Sequence, residues 1–79
     1  MLDGKVFVIT GALNHYENRN ALKAEIESLG GKVAGVINSK TSYLLTNDKD
    51  SGTVKNRDAR ALGIPIISES NYMEMINKN

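Results

Sequence analysis

An α/β sandwich, with a four-stranded and mainly parallel sheet and helices on both faces, is predicted by three observations in this 79-residue chain. Lys5 to Thr10 reads KVFVIT, a continuous apolar run that suits a central strand covered on both sides better than one half-exposed to water. Strand-like runs and helix-periodic stretches then alternate in the order β-α-β-β-α-β-α. Glycines follow the first two helical stretches, at Gly30 with Gly31 and at Gly63, where helix endings favour them.

Each element follows in turn. After KVFVIT, the polar loop Gly11 to Glu17 leads to Asn18, a suitable N-cap for a helix running through Leu29. Leu22, Ile26 and Leu29 fall at i, i+4 and i+7 on one face of it. Gly30 can take the left-handed conformation that ends a helix, and Gly31 lets the backbone return closely toward the sheet. Lys32 to Ile37 (KVAGVI) is a second strand, reached through a helix, so a right-handed crossover and parallel pairing are expected. Asn38 to Thr41 is a turn, Ser42 to Thr46 (SYLLT) a third strand, and Asn47 to Gly52 (NDKDSG) a polar, mobile loop. Thr53 to Leu62 forms a helix that stops at Gly63. Ile64 to Ile67 (IPII) is the fourth strand, and Pro65, which cannot donate to a ladder, marks it as an edge strand. Ser68 or Ser70 caps a last helix whose Tyr72, Met73 and Ile76 read as core, with the Tyr72 hydroxyl at its edge.

Size and composition narrow the function. One domain, residues 1–79, fills the chain, and a piece cut from a longer protein is expected. Ten Lys and Arg against nine Asp and Glu leave a net charge of +1, so any binding of nucleic acid must come from local placement of cations. There is no cysteine, which removes disulfides and thiolate metal sites, and the lone His15 builds no metal site by itself. No apolar run approaches the roughly 20 residues of a membrane span, so a cytoplasmic monomer without membrane contact is the expectation. "SGTVKN" lacks the spacing of a P-loop, and no nucleophile with tuned neighbours is visible. Catalysis and a bound cofactor are therefore not expected.

The residues that carry chemistry are few. Thr10 and Gly11 set a hydroxyl beside a bare backbone N–H at the end of a strand, which reads either as a tight turn or as the beginning of an anion site. Lys55 shares a helical stripe with Ala59 and Leu62 facing the sheet, which aims its ammonium toward the end of the first strand; alternatively its stem lies on the core edge and its head reaches solvent. Arg57 and Arg60 lie about 60° apart on the other side of that helix, and Arg19 shares a face of the first helix with Lys23. These four are candidate contacts to DNA phosphates or, alternatively, plain solvated faces. His15 and Tyr16 could stack on a base.

The stretches "LDGKVFVITG", "LGGKV", "KTSYLL" and "ALGIPIISES", with an aromatic at Tyr72, resemble the BRCT domain over nearly the whole chain, and above all the C-terminal BRCT domain of bacterial NAD-dependent DNA ligases. The likeness departs at Tyr72, where many members carry Trp, and at "NHYEN", which is longer than their short turn. It implies a three-layer sandwich and a non-catalytic interaction module that engages DNA, other domains of a parent ligase or a repair protein. It also implies a phosphate-binding trio of Thr10, Gly11 and Lys55, since Thr10 and Gly11 resemble the Ser/Thr-Gly of phosphate-binding members. NAD, a divalent metal and structural zinc would belong to the parent ligase and not to this domain. A protein-docking or phosphopeptide-binding BRCT domain of another replication or repair protein is the other role the likeness allows.

Overall fold

In a computed structural model describing residues 1–77, the central strand of the sheet is β1, Val6–Ile9. β2 (Lys32–Ala34) pairs with one side of it and β3 (Tyr43–Leu45) with the other, and β4 (Ile66–Ile67) closes the order β2-β1-β3-β4. All three pairings are parallel, with Phe7 opposite Val33 and Tyr43, and Leu45 opposite Ile67. The sheet is thus wholly and not just mainly parallel. β4 lies at an edge, as Pro65 beside it suggests, and the Pro65 carbonyl accepts from the Leu44 N–H (3.0 Å).

Alternation along β1 and β3 sends successive side chains to opposite faces. Phe7, Ile9 and Leu45 pack beneath α1 (Arg19–Ser28) and α3 (Glu69–Met75), together with Leu22, Ile26, Tyr72, Ile76 and Leu2. Val8 and Leu44 pack on the other face with Ala59 of α2 (Val54–Ala61) and Ile64. Both faces are covered, which is why the first strand reads as an unbroken apolar run. Phe7 stacks on Tyr43 at 5.2 Å and meets Tyr72 edge-on at 5.8 Å, the favoured geometries for aromatic pairs.

The helices begin and end where the local chemistry directs. Asn18, Thr53 and Ser68 are the N-caps, each accepting from a backbone N–H three residues on. Of the two serines able to cap α3, Ser68 does so, with Asn71 reciprocating in a capping box. α1 closes through a Schellman pair, Gly31 N–H to Ile26 O and Gly30 N–H to Glu27 O, with Gly30 at φ +94°. A Cβ on Gly31 would sit 2.8 Å from Ile26 Cγ2, so this second glycine is required by close approach. α2 closes the same way, through Ile64 N–H to Ala59 O and Gly63 N–H to Arg60 O.

Three expectations need correction. β2 stops at Ala34 and does not run to Ile37: the backbone bends at Gly35 and Val36, and Val36 is 66% exposed. β4 is only Ile66–Ile67, because Ile64 is the residue that completes the α2 Schellman turn. Leu62 does not face the sheet. It is the C-cap and is 51% exposed, and its expected place in the core is taken by Ile64.

Candidate functional site

β1 ends on its last ladder bond, the Thr10 N–H to Leu45 O at 3.1 Å. Gly11 follows at φ +81°, in the left-handed region, and a Cβ there would lie 3.3 Å from Thr46 Oγ1. A side chain at this position would meet both strain and crowding, so the turn itself accounts for the glycine.

A cavity of about 250 Å³ lies beside this turn, at the carboxyl ends of β1 and β2, where open α/β sheets hold their ligands. Its sheet wall is Ile9 with Val33 to Gly35. Arg19, Asn20 and Lys23 from α1 and Lys55 from α2 complete it. Two helices on opposite faces of the sheet therefore bring three of the nominated cations to one hollow. Neither helix carries an acidic residue in its first turn, which leaves the positive end of each dipole uncompensated there. Among the described residues the ion pair found joins the N-terminal ammonium to Asp3 at 3.9 Å, and the three cavity cations take no part in it.

The other nominated residues are not part of its lining. The lining includes Ile9 but neither Thr10 nor Gly11, which follow it in the chain. Arg57 and Arg60 are exposed on α2 outside the cavity, and Arg60 Nη2 donates to Ser51 O (3.3 Å). His15 is exposed, while its N–H is committed to Glu69 Oε2 (2.9 Å).

Tyr16 is half-buried and already engaged. Its ring lies against Tyr72 (6.3 Å) and its hydroxyl donates to Glu25 Oε1 (2.5 Å). The Tyr72 hydroxyl, expected at the edge, is enclosed and donates to the same oxygen at 3.0 Å. Burial, then the bond to the Glu25 carboxylate, pushes both phenols well above their ordinary pKa.

A second polar centre lies at the start of α3. Glu69, at the start of α3, is fully buried, and its carboxylate collects the N–H groups of Asn14 (2.6 Å) and His15 (2.9 Å) and the Asn47 side-chain amide (2.5 Å). Asn47 Oδ1 in turn accepts from the Glu69 N–H (3.0 Å), and Asn47 Nδ2 reaches Ala12 O (3.2 Å). Burial alone would raise the Glu69 pKa; the donations from Asn14, Asn47 and His15 outweigh it and hold the carboxyl below its ordinary value. Asn56, also fully buried, ties the loop after β3 to α2 by donating to Asp48 O (2.9 Å). Its signal was legible, since Thr53 and Asn56 have the spacing of a cap and its N3 partner. Glu69 had none: an acid in a first helical turn reads as a surface residue, and its backbone donors lie 54 and 55 residues away.

Among the described residues no cluster of His, Cys, Asp or Glu could hold a metal ion, and no helix is long and apolar enough to cross a membrane. A family model for the BRCA1 C Terminus (BRCT) domain matches residues 1–76. The DNA ligase of Lachnoclostridium phytofermentans is 48% identical over 77 residues, covering 98% of this chain and 12% of that protein. The DNA ligase of Ruminiclostridium cellulolyticum is 48% identical over 71 residues, 90% of this chain and 11% of the relative. Human replication factor C subunit 1 is 45% identical over 75 residues, 95% of this chain and 6% of its own length. The chain thus spans about an eighth or less of the length of these relatives.

Proposed function

The chain belongs to the BRCT family, and from that premise we propose that it is a phosphate-reading interaction module of an NAD-dependent DNA ligase, which helps its parent engage a nick or a 5′-phosphate end. The observation that carries this reading is the convergence of Arg19, Lys23 and Lys55, from two helices, on one cavity at the carboxyl ends of the strands. A terminal phosphate needs several donors held by fixed backbone, and cations beside two uncompensated helix N-termini meet that need. The Thr10 hydroxyl and the Gly11 N–H would add donors from the adjoining turn. Arg57 and Arg60, outside the cavity, would touch the duplex backbone. The joining chemistry, with its NAD, divalent metal and zinc, belongs to the rest of the parent.

With so few cations, DNA binding by this domain alone is weak, indifferent to base sequence and steeply dependent on salt. A 5′-phosphorylated duplex and the same duplex without the phosphate are titrated into isotope-labelled protein. The phosphate alone should shift the amides of Gly11 and Ala12 together with those around Lys55. Lys55→Glu should weaken that response without unfolding the domain, because a first helical turn accepts a carboxylate. Equal shifts from both duplexes, or none, would overturn the reading. A protein-docking or phosphopeptide-binding domain of another replication or repair protein is a second reading, supported by the replication factor C relatives. A phosphoserine peptide that outcompetes the duplex would favour it.

A further inference from the structure

The loop between β1 and α1 is polar, yet it is tied at Ala12, Asn14, His15, Tyr16 and Asn18. Asn47 Nδ2 holds Ala12 O, Glu69 holds the N–H groups of Asn14 and His15, Glu25 holds the Tyr16 hydroxyl, and Asn18 caps α1. One end of this tied path is the Thr10–Gly11 turn and the other is Arg19, on the cavity wall. From α3, Glu69 reaches the middle of this path while also gripping Asn47, in the loop that follows β3.

We infer that Glu69 is a positioning residue for the anion site: buried and outside the cavity lining, it fixes the backbone between the Thr-Gly turn and the cationic first turn of α1. The inference rests on the cavity being a phosphate site, as proposed above. Its physical basis is preorganisation. Donors already held in place lose little freedom when the anion arrives, whereas a released loop must be ordered at the expense of affinity. A carboxylate suits the task because it offers only acceptors to the three donors that face it. Glutamine would turn an amide N–H₂ toward one of those donors.

The quantity to measure is the ratio of affinities for a 5′-phosphorylated duplex and its unphosphorylated counterpart, at a temperature where every variant is folded. Glu69→Gln should lower that ratio about tenfold, as expected when a buried charged hydrogen-bonding group is lost, and leave the affinity for the unphosphorylated duplex unchanged. Amide exchange at Asn14 and His15 should quicken in the same variant. Ile64→Val, which loosens the opposite face of the sheet, is the control for lost stability and should keep the wild-type ratio. If Glu69→Gln does not fold, Asn47→Ala, which cuts the ties to Ala12 and Glu69 from an exposed position, should lower the ratio severalfold. A wild-type ratio of one would remove the phosphate site and this inference with it. A wild-type ratio well above one that survives Glu69→Gln or, failing that, Asn47→Ala would overturn the positioning role alone.

Discussion

The two faces of the sheet are covered by different kinds of structure. Beneath α1 and α3 lies a broad aromatic layer of Phe7, Tyr72 and the partly buried Tyr16 and Tyr43, with the half-buried Glu25 accepting from two phenols at its border. Beneath α2, the buried apolar cluster among the described residues is the smaller set Val8, Leu44, Ala59 and Ile64. α2 leaves Val54 exposed at 68%, and its C-cap Leu62 at 51%. The contrast teaches that the domain is held chiefly on one side. The helix on the thin side is secured largely by its ends, with Thr53 and Asn56 at one and the Gly63–Ile64 turn at the other.

Tyr72→Ala should break this comparison most severely. It removes the largest fully buried side chain and one of the two hydroxyls on Glu25, and should cost about 3 to 5 kcal/mol, enough to unfold so small a domain. Thermal melting followed by circular dichroism checks it, and an unchanged midpoint would show that α3 is not docked by this ring. Leu44 and Leu45 then sharpen the contrast, being adjacent, equally buried and on opposite faces. Leu45→Ala should cost about 4 kcal/mol and Leu44→Ala about 2 to 3, because a short helix over a thin layer can settle into the space left behind. Equal losses in urea unfolding would mean that both faces resist collapse alike.

The smallest effect concerns the shared carboxylate. Tyr72→Phe keeps the ring and should cost about 1 kcal/mol, since Glu25 retains the Tyr16 hydroxyl. The phenols also set an alkaline limb. Their pKa is raised in the folded state, so their contribution is complete below the unfolded value of about 10 and is lost progressively as pH rises above it. Urea midpoints between pH 8 and 11 should fall less steeply in Tyr72→Phe than in the wild type.

The sequence made the thick face readable and the thin one deceptive. KVFVIT, the Leu22–Ile26 spacing and the caps at Asn18 and Ser68 are local signals, and the structure carries each of them. Leu62 was misplaced because helical periodicity extends a stripe to the last residue, while the chain already turns there and Ile64 does the packing. KVAGVI looked continuous because Val36 and Ile37 favour strands, but the backbone bends once the pairing with β1 ends at Ala34. At the candidate site, the cations of α1 and α2 were nominated from their own helices, and only the tertiary arrangement sets Arg19, Lys23 and Lys55 around one hollow. Tyr16 and Glu69 were beyond local reading, since their environment is made by residues far along the chain.

That α3 comes last has a kinetic consequence. β1, α1 and β2 are complete by Ala34, and β1 and β2 are neighbours in the finished sheet. Until Ser68 and the residues after it arrive, Phe7, Leu22 and Ile26 lack the ring of Tyr72 above them, and Asn14 and His15 lack the carboxylate that accepts from them. Without α3, that face of the early half has its apolar side open to water and to other chains. The transition to the native state then combines closure of the face with contacts spanning more than fifty residues, a topology that slows folding. A chain stopped before Ser68 should therefore aggregate, since no α3 covers this face.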